Sequence, residues 1–128
     1  MELLELAAGA APDEHPDYKL LVAEAQGGAL AGYVLYGPTP MTEATWDLYW
    51  IASDPAFRGK GAGSRLVLAM EDEVLRRGGG QVRVETSSLG EYAATRTFYE
   101  RHRYLEAGRL PDFYKPGDDL VTLYKRLA

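Results

Sequence analysis

The segment best equipped for chemistry is Arg58-Gly59-Lys60-Gly61-Ala62-Gly63-Ser64, in which alternate glycines are mixed with cationic and small side chains. An apolar run at helical spacing follows it. The first turn of a helix leaves amide hydrogens without intrahelical acceptors, and the helix dipole adds partial positive charge there. Glycine lets an anion approach such backbone closely, so the segment predicts a cradle for a phosphate or diphosphate. A plain surface turn is the competing reading.

Nucleotide motifs compete for the same glycines. Glu85 stands about 20 residues beyond them near a strand end, where a dinucleotide-binding fold places a ribose-binding acid. The spacing opposes that reading: Asp54-Pro55-Ala56-Phe57-Arg58 separates the glycines from the preceding strand, and Ser64 occupies the place of the third glycine. A Walker loop fails because no Gly-Lys-Ser or Gly-Lys-Thr follows the required spacer. His15 and His102 are isolated, with no partner at ligand spacing, so no metal site is expected. With no cysteine, disulfides, thiolate metal sites and a cysteine nucleophile are all excluded.

The elements that must position these groups fit one domain over residues 1–128. Met1 to Ala8 suits a strand or a short helix, and the Ala-, Pro- and Asp-rich Gly9 to Pro16 breaks it. Leu20 to Ala25 and Leu30 to Tyr36, separated by Gly27-Gly28, predict a hairpin. Thr45 to Ser53 has the aromatic and β-branched content of a buried strand, ended by Pro55. Leu66, Val67, Met70 and Val74 then recur at helical spacing, predicting a helix of about 14 residues closed by Arg76, Arg77 and Gly78. Gln81 to Thr86 is a further strand, and Ser88 with Glu91 predicts a capping box for a second helix reaching His102. Tyr104 to Leu110 and Leu120 to Arg126 close the chain as strands around the turn Lys115-Pro116-Gly117-Asp118.

Net charge limits the partners. The formal charge of −5 opposes phosphate-backbone attraction, so no nucleic-acid partner is expected. Met1 to Ala11 carries Glu2 and Glu5 where a signal peptide would be basic, and no apolar run nears the roughly 20 residues of a membrane span. A soluble, cytoplasmic protein is the expectation, with no membrane partner.

Arg58-x-x-Gly61-x-Gly63 resembles the Gln/Arg-x-x-Gly-x-Gly/Ala signature of the GNAT superfamily of N-acetyltransferases. The flanks match as well, with Ile51-Ala52-Ser53-Asp54-Pro55 before it and a helix after it. Tyr92 to Tyr104, with Phe98-Tyr99 near the helix end, is similar to the family's second cofactor segment. The resemblance spans roughly Leu20 to Leu127. It implies an α/β fold of the α+β kind, with a mixed, mostly antiparallel central sheet flanked by helices and acetyl-coenzyme A as co-substrate. Three positions depart from the pattern: Tyr92 replaces the usual Asn, Thr95 the usual small residue, and Arg103 the usual Gly. The N-terminal helical region is also reduced, because barely ten residues separate Leu6 from Tyr18.

Acetyl transfer to an amine needs a neutral nucleophile beside the thioester, stabilisation of the developing oxyanion and a proton for the leaving thiolate. By resemblance, the backbone of Ile51, Ala52 and Ser53 pairs with the pantetheine arm, and the amides from Gly59 to Ser64 hold the diphosphate. Arg58 and Phe98 belong to the same cofactor set. Tyr99 occupies the family's general-acid position, with a packed core aromatic as the alternative reading. Glu85 is a candidate base acting through water, unless it forms a salt bridge with Arg83 or another arginine. Asp47, which alternation places on one face with Tyr49 and Ser53, is another candidate base.

The expected acceptor is a primary amine, drawn by Glu85 and the carboxylates of Asp112, Asp118 and Asp119 around Pro111 to Tyr114. An ordinary acidic hairpin turn explains those carboxylates equally well. With so short an N-terminal wall, the groove is either open or completed by a second copy in a homodimer. Two other functions remain open at this level: a noncatalytic acyl-coenzyme A-binding module and a dinucleotide-binding oxidoreductase fragment.

Overall fold

The computed structural model describes residues 4–8, 17–57 and 61–128, the first of these segments through its backbone. Seven strands make one sheet: β1 (Leu4–Ala8), β2 (Lys19–Ala25), β3 (Leu30–Pro38), β4 (Thr45–Ser53), β5 (Gln81–Ser87), β6 (Leu105–Lys115) and β7 (Asp118–Arg126). Their spatial order is β1-β2-β3-β4-β5-β7-β6, antiparallel throughout except for β4 beside β5. Helix α1 (Ala62–Arg76) makes that single parallel connection, and α2 (Ala93–Arg101) follows β5. The mixed, mostly antiparallel α/β fold is therefore the expected one. The N-terminal element, open between strand and helix in sequence, is a strand, and the sheet formed by the described residues is not the doubly wound kind that holds a dinucleotide.

Helix α1 lies on the sheet as its periodicity dictates. Leu66, Val67, Met70 and Val74 are buried against Ala23, Val34, Tyr36 and Val82, while Leu68 and Leu75 stay exposed. Burying one such side chain contributes roughly 1.5–3 kcal/mol, so this stripe fixes the helix to the sheet. The helix closes where predicted: the Gly78 amide donates to the Leu75 carbonyl at 3.1 Å and that of Gly79 to Val74 at 2.8 Å.

One charge lies on the buried stripe. Glu71 accepts hydrogen bonds from the Tyr104 hydroxyl at 2.9 Å and the Lys125 ammonium at 2.8 Å, which ties α1 to the start of β6 and the end of β7. Removing one partner of so buried a pair typically costs about 3–5 kcal/mol. Arg103, just before Tyr104, takes φ 70° without being glycine, as the departure from the family pattern required.

Two local expectations need correction. Ser88 and Glu91 form no capping box: a 3-10 turn at Gly90–Tyr92 precedes α2, and no side chain caps the helix. The Ser88 hydroxyl instead accepts from the Asp119 amide at 2.8 Å, joining the end of β5 to β7. β6 also runs further than expected, through Pro111 to Lys115. It is an edge strand whose pairing is irregular between Leu110 and Lys115, which accommodates a proline.

Candidate active site

The site originates in a defect of β4. Leu35 pairs with Trp50 but Tyr36 pairs with Leu48, so Tyr49 is an extra residue, a β-bulge. The parallel ladder to β5 stops at the same place, with Leu48 opposite Val84. Beyond it β4 stays paired with β3 as far as Ser53, and β5 with β7 as far as Ser87. The two central strands therefore part, and alternate peptide groups of Tyr49 to Ser53 face the gap without a strand partner.

The bulge also overturns a parity argument. An extra residue flips the faces beyond it, so Ser53 shares a face with Leu48 and Ile51, opposite Asp47 and Tyr49. Asp47 is buried and held by Arg83 through hydrogen bonds of 2.7 and 3.2 Å. That bond is the largest influence raising the Arg83 guanidinium further. Glu85 is accordingly not the carboxylate that binds Arg83; it is exposed, with its side chain beside the gap.

Two spaces that share Ile51 and Thr95 in their walls occupy the gap. A cleft of about 530 Å³ is lined by Ile51, Ala52, Ser53, Gly63 and Phe98, together with Glu91, Ala94 and Thr95. It unites the predicted strand segment, the second half of the glycine loop and the Phe-Tyr helix. Its wall depends on Gly63, since a Cβ there would come within 3.3 Å of the Phe98 ring. Gly61 has φ 81° and precedes α1, whose first bond runs from the Arg65 amide to the Gly61 carbonyl at 3.0 Å. The amides of Ala62, Gly63 and Ser64 lie ahead of that bond, in the donor-rich first turn. Arg58, Gly59 and Lys60 lie outside the described residues.

Ser64 has a second connection. Its hydroxyl and His102 Nε2 are 2.9 Å apart, so His102, isolated in sequence, ties the end of α2 to the beginning of α1. Its ring also lies against Phe98, with 4.9 Å between ring centroids. Burial holds the imidazole below its usual pKa, with Glu71 opposing that shift and Lys125 adding to it.

The second space, about 180 Å³, is bounded by Tyr49, Trp50, Ile51, Glu85, Thr95 and Tyr99 among others. Tyr99 is almost wholly buried, and that burial raises its hydroxyl well above the ordinary phenol range. The group is thus protonated at neutral pH. Its ring packs edge-on against Tyr104 at 5.6 Å, so Tyr99 is both a core aromatic and part of the chamber wall.

Asp112, Asp118 and Asp119 serve the hairpin first. Asp112 accepts from the Gly117 amide at 2.8 Å, and Asp119 from the Asp112 amide at 3.0 Å. Asp118 is buried against the Ser87 hydroxyl. Sequence reasoning misses Trp50 and Ala94 as site residues and reads Glu91 only as a capping partner. Trp50 lies beside the predicted Ile51, but only the bulge explains why its ring borders the gap.

The gap thus combines an unpaired strand edge, a cleft shaped by a glycine, and a helix start whose amides precede the first intrahelical bond. The acetyltransferase (GNAT) domain family matches residues 16–104. A GNAT-family protein from Desulfovibrio desulfuricans, described as an acetyltransferase, is 39% identical, with 88% of this chain and 70% of that one covered at a TM-score of 0.85. An acyl-CoA N-acyltransferase structure from Klebsiella pneumoniae is 19% identical, covering 98% of this chain and 99% of that one at a TM-score of 0.81. An acetyltransferase structure from Salmonella typhimurium that contains acetyl-CoA is 23% identical, covering 87% and 65% at a TM-score of 0.73. These last two likenesses concern the fold. No curated protein matches the sequence. Among the described residues, no helix is long and apolar enough to cross a membrane.

Proposed function

Because this chain belongs to the GNAT family of acetyltransferases, we propose that it moves the acetyl group of acetyl-coenzyme A onto a primary amine, with residues 1–128 acting as one catalytic domain. The supporting observation is the parting of β4 from β5 at the Tyr49 bulge, which opens a cofactor cleft and a reaction chamber against the same strand. Acetyl-coenzyme A, when bound, supplies a thioester-activated acetyl group. The backbone of Ile51, Ala52 and Ser53 hydrogen-bonds the pantetheine arm. Amides from Gly59 to Ser64, with Arg58 and Lys60, hold the diphosphate, and the Phe98 ring packs along the cleft.

Glu85 takes the amine's proton through water, which its exposed carboxylate is free to do. Tyr99 directs its hydroxyl proton toward the departing sulfur. A hydrogen bond there stabilises developing negative charge even where transfer is incomplete. The carboxylates around the chamber favour an acceptor that arrives as a cation. In this reading the protein is cytoplasmic and binds neither nucleic acid nor membrane, and its acceptor groove is either open to a long substrate or completed by a second copy in a homodimer.

Thiol release measured with polyamines, amino acids, aminoglycosides and lysine peptides, beside light scattering, tests the reading. The expected result is acceptor-dependent release with cationic amines. Preference for anionic acceptors would defeat the electrostatic argument, and a strict monomer active only on small amines would defeat the groove argument.

A further inference from the structure

Outside the reaction chamber lies a third space, of about 390 Å³, to which the transfer chemistry assigns no task. It shares Tyr49, Trp50, Glu85, Thr86 and Tyr92 with the chamber, so one short molecule can reach both. Its walls combine two kinds of group. Tyr49, Trp50, Tyr92 and Tyr114 supply aromatic rings, all substantially exposed and Trp50 at 59%. Glu85, Glu91 and Asp118 supply carboxylates, against one cation among the described lining residues, Lys115. The two sets are close: after burial, Glu85 and Asp118 are the leading causes that raise the Tyr114 hydroxyl.

Aromatic faces beside carboxylates in a concave space suit an organic cation, which the ring quadrupole attracts and the carboxylates neutralise. A neutral alkyl tail would bury those carboxylates without compensation, and an anion would meet one ammonium among several negative charges. We propose that this outer cavity holds a second cationic group of the acceptor, so that the acceptor is a diamine or polyamine rather than a monoamine. The inference rests on the acetyl-transfer reading, with the reacting amine in the inner chamber and the second ammonium among Trp50, Tyr92 and Glu91.

Calorimetry on the full chain with coenzyme A present, using diaminobutane and butylamine as probes, tests it directly. Diaminobutane should bind at least tenfold more tightly. Trp50→Leu, which keeps an apolar side chain but removes the ring face, should narrow that ratio severalfold by weakening diaminobutane more than butylamine, and Glu91→Gln should narrow it too. Equal affinities, tighter butylamine binding, no binding of either, or a ratio unchanged in both variants would overturn the proposal. Thiol release with acetyl-coenzyme A and diaminobutane separates the two levels. Preferential binding without release would sink the acetyl-transfer reading while leaving a dication site.

Discussion

The two sides of the gap beside β4 are built from different materials. On the side proposed for the cofactor the available groups are largely main chain: the unpaired edge of Ile51 to Ser53 and the amides at the start of α1, with glycine at 61 and 63. On the side proposed for the acceptor they are side chains from β4, β5, the turn before α2 and the β6–β7 hairpin. A backbone cradle needs only the right bend and the absence of a Cβ, so it can be encoded in adjacent residues. A side-chain chamber can change its preference one residue at a time without disturbing the fold.

Tyr99 stands where the two sides meet, and its removal should have the largest effect. Tyr99→Phe keeps the ring packed on Tyr104 and removes only the hydroxyl. Turnover should fall on the order of 10²-fold with cofactor affinity largely spared. Equal turnover in the two proteins would make Tyr99 packing alone. The cofactor side predicts the opposite pattern. A β-branched residue at Gly61 would be forced into left-handed backbone, and one at Gly63 would press on the Phe98 ring. Gly61→Val and Gly63→Val should each weaken acetyl-coenzyme A by more than tenfold, about 1.4 kcal/mol or more, while leaving acceptor selectivity alone. Unchanged calorimetric affinity in both would remove the diphosphate from this loop.

The same contrast explains what could be read from sequence. The glycine loop, the α1 stripe and the hairpin at Gly27-Gly28 are local, and local spacing located them. Glu71 was not legible, because its partners Tyr104 and Lys125 are distant in sequence and a charge on an apolar stripe gives no sign of them. Alternation puts Asp47 and Ser53 on one face because it assumes a regular strand, and nothing in TWDLYWIAS marks Tyr49 as the extra residue. The capping box matched its pattern, but Ser88 found a better partner in the Asp119 amide. Thus the half proposed for the cofactor follows a local motif. The acceptor half required the fold before its residues could be grouped.

The smallest expected effect comes from His102, whose ring is hydrogen-bonded to Ser64 at the α1 start. Burial lowers its pKa in the folded chain, whereas the unfolded imidazole titrates near about 6.5. The unfolded state therefore takes up the proton at higher pH. The stability associated with neutral His102 is complete above the unfolded value and is lost as pH falls through it toward the folded one. The bond to Ser64 is not itself forfeited, since a protonated ring still donates from Nε2 to the hydroxyl oxygen; what is lost is the advantage of keeping a half-buried ring uncharged. Other groups titrate over the same range, so the informative quantity is the difference between wild type and His102→Gln. Urea midpoints at about pH 7.5 and about pH 5.5, on either side of the unfolded value, should fall further for the wild type than for the variant. Acetyl-coenzyme A affinity should follow the same difference more closely than the acceptor's KM does. Identical pH slopes in the two proteins would show that His102 gives the cofactor side no acid sensitivity.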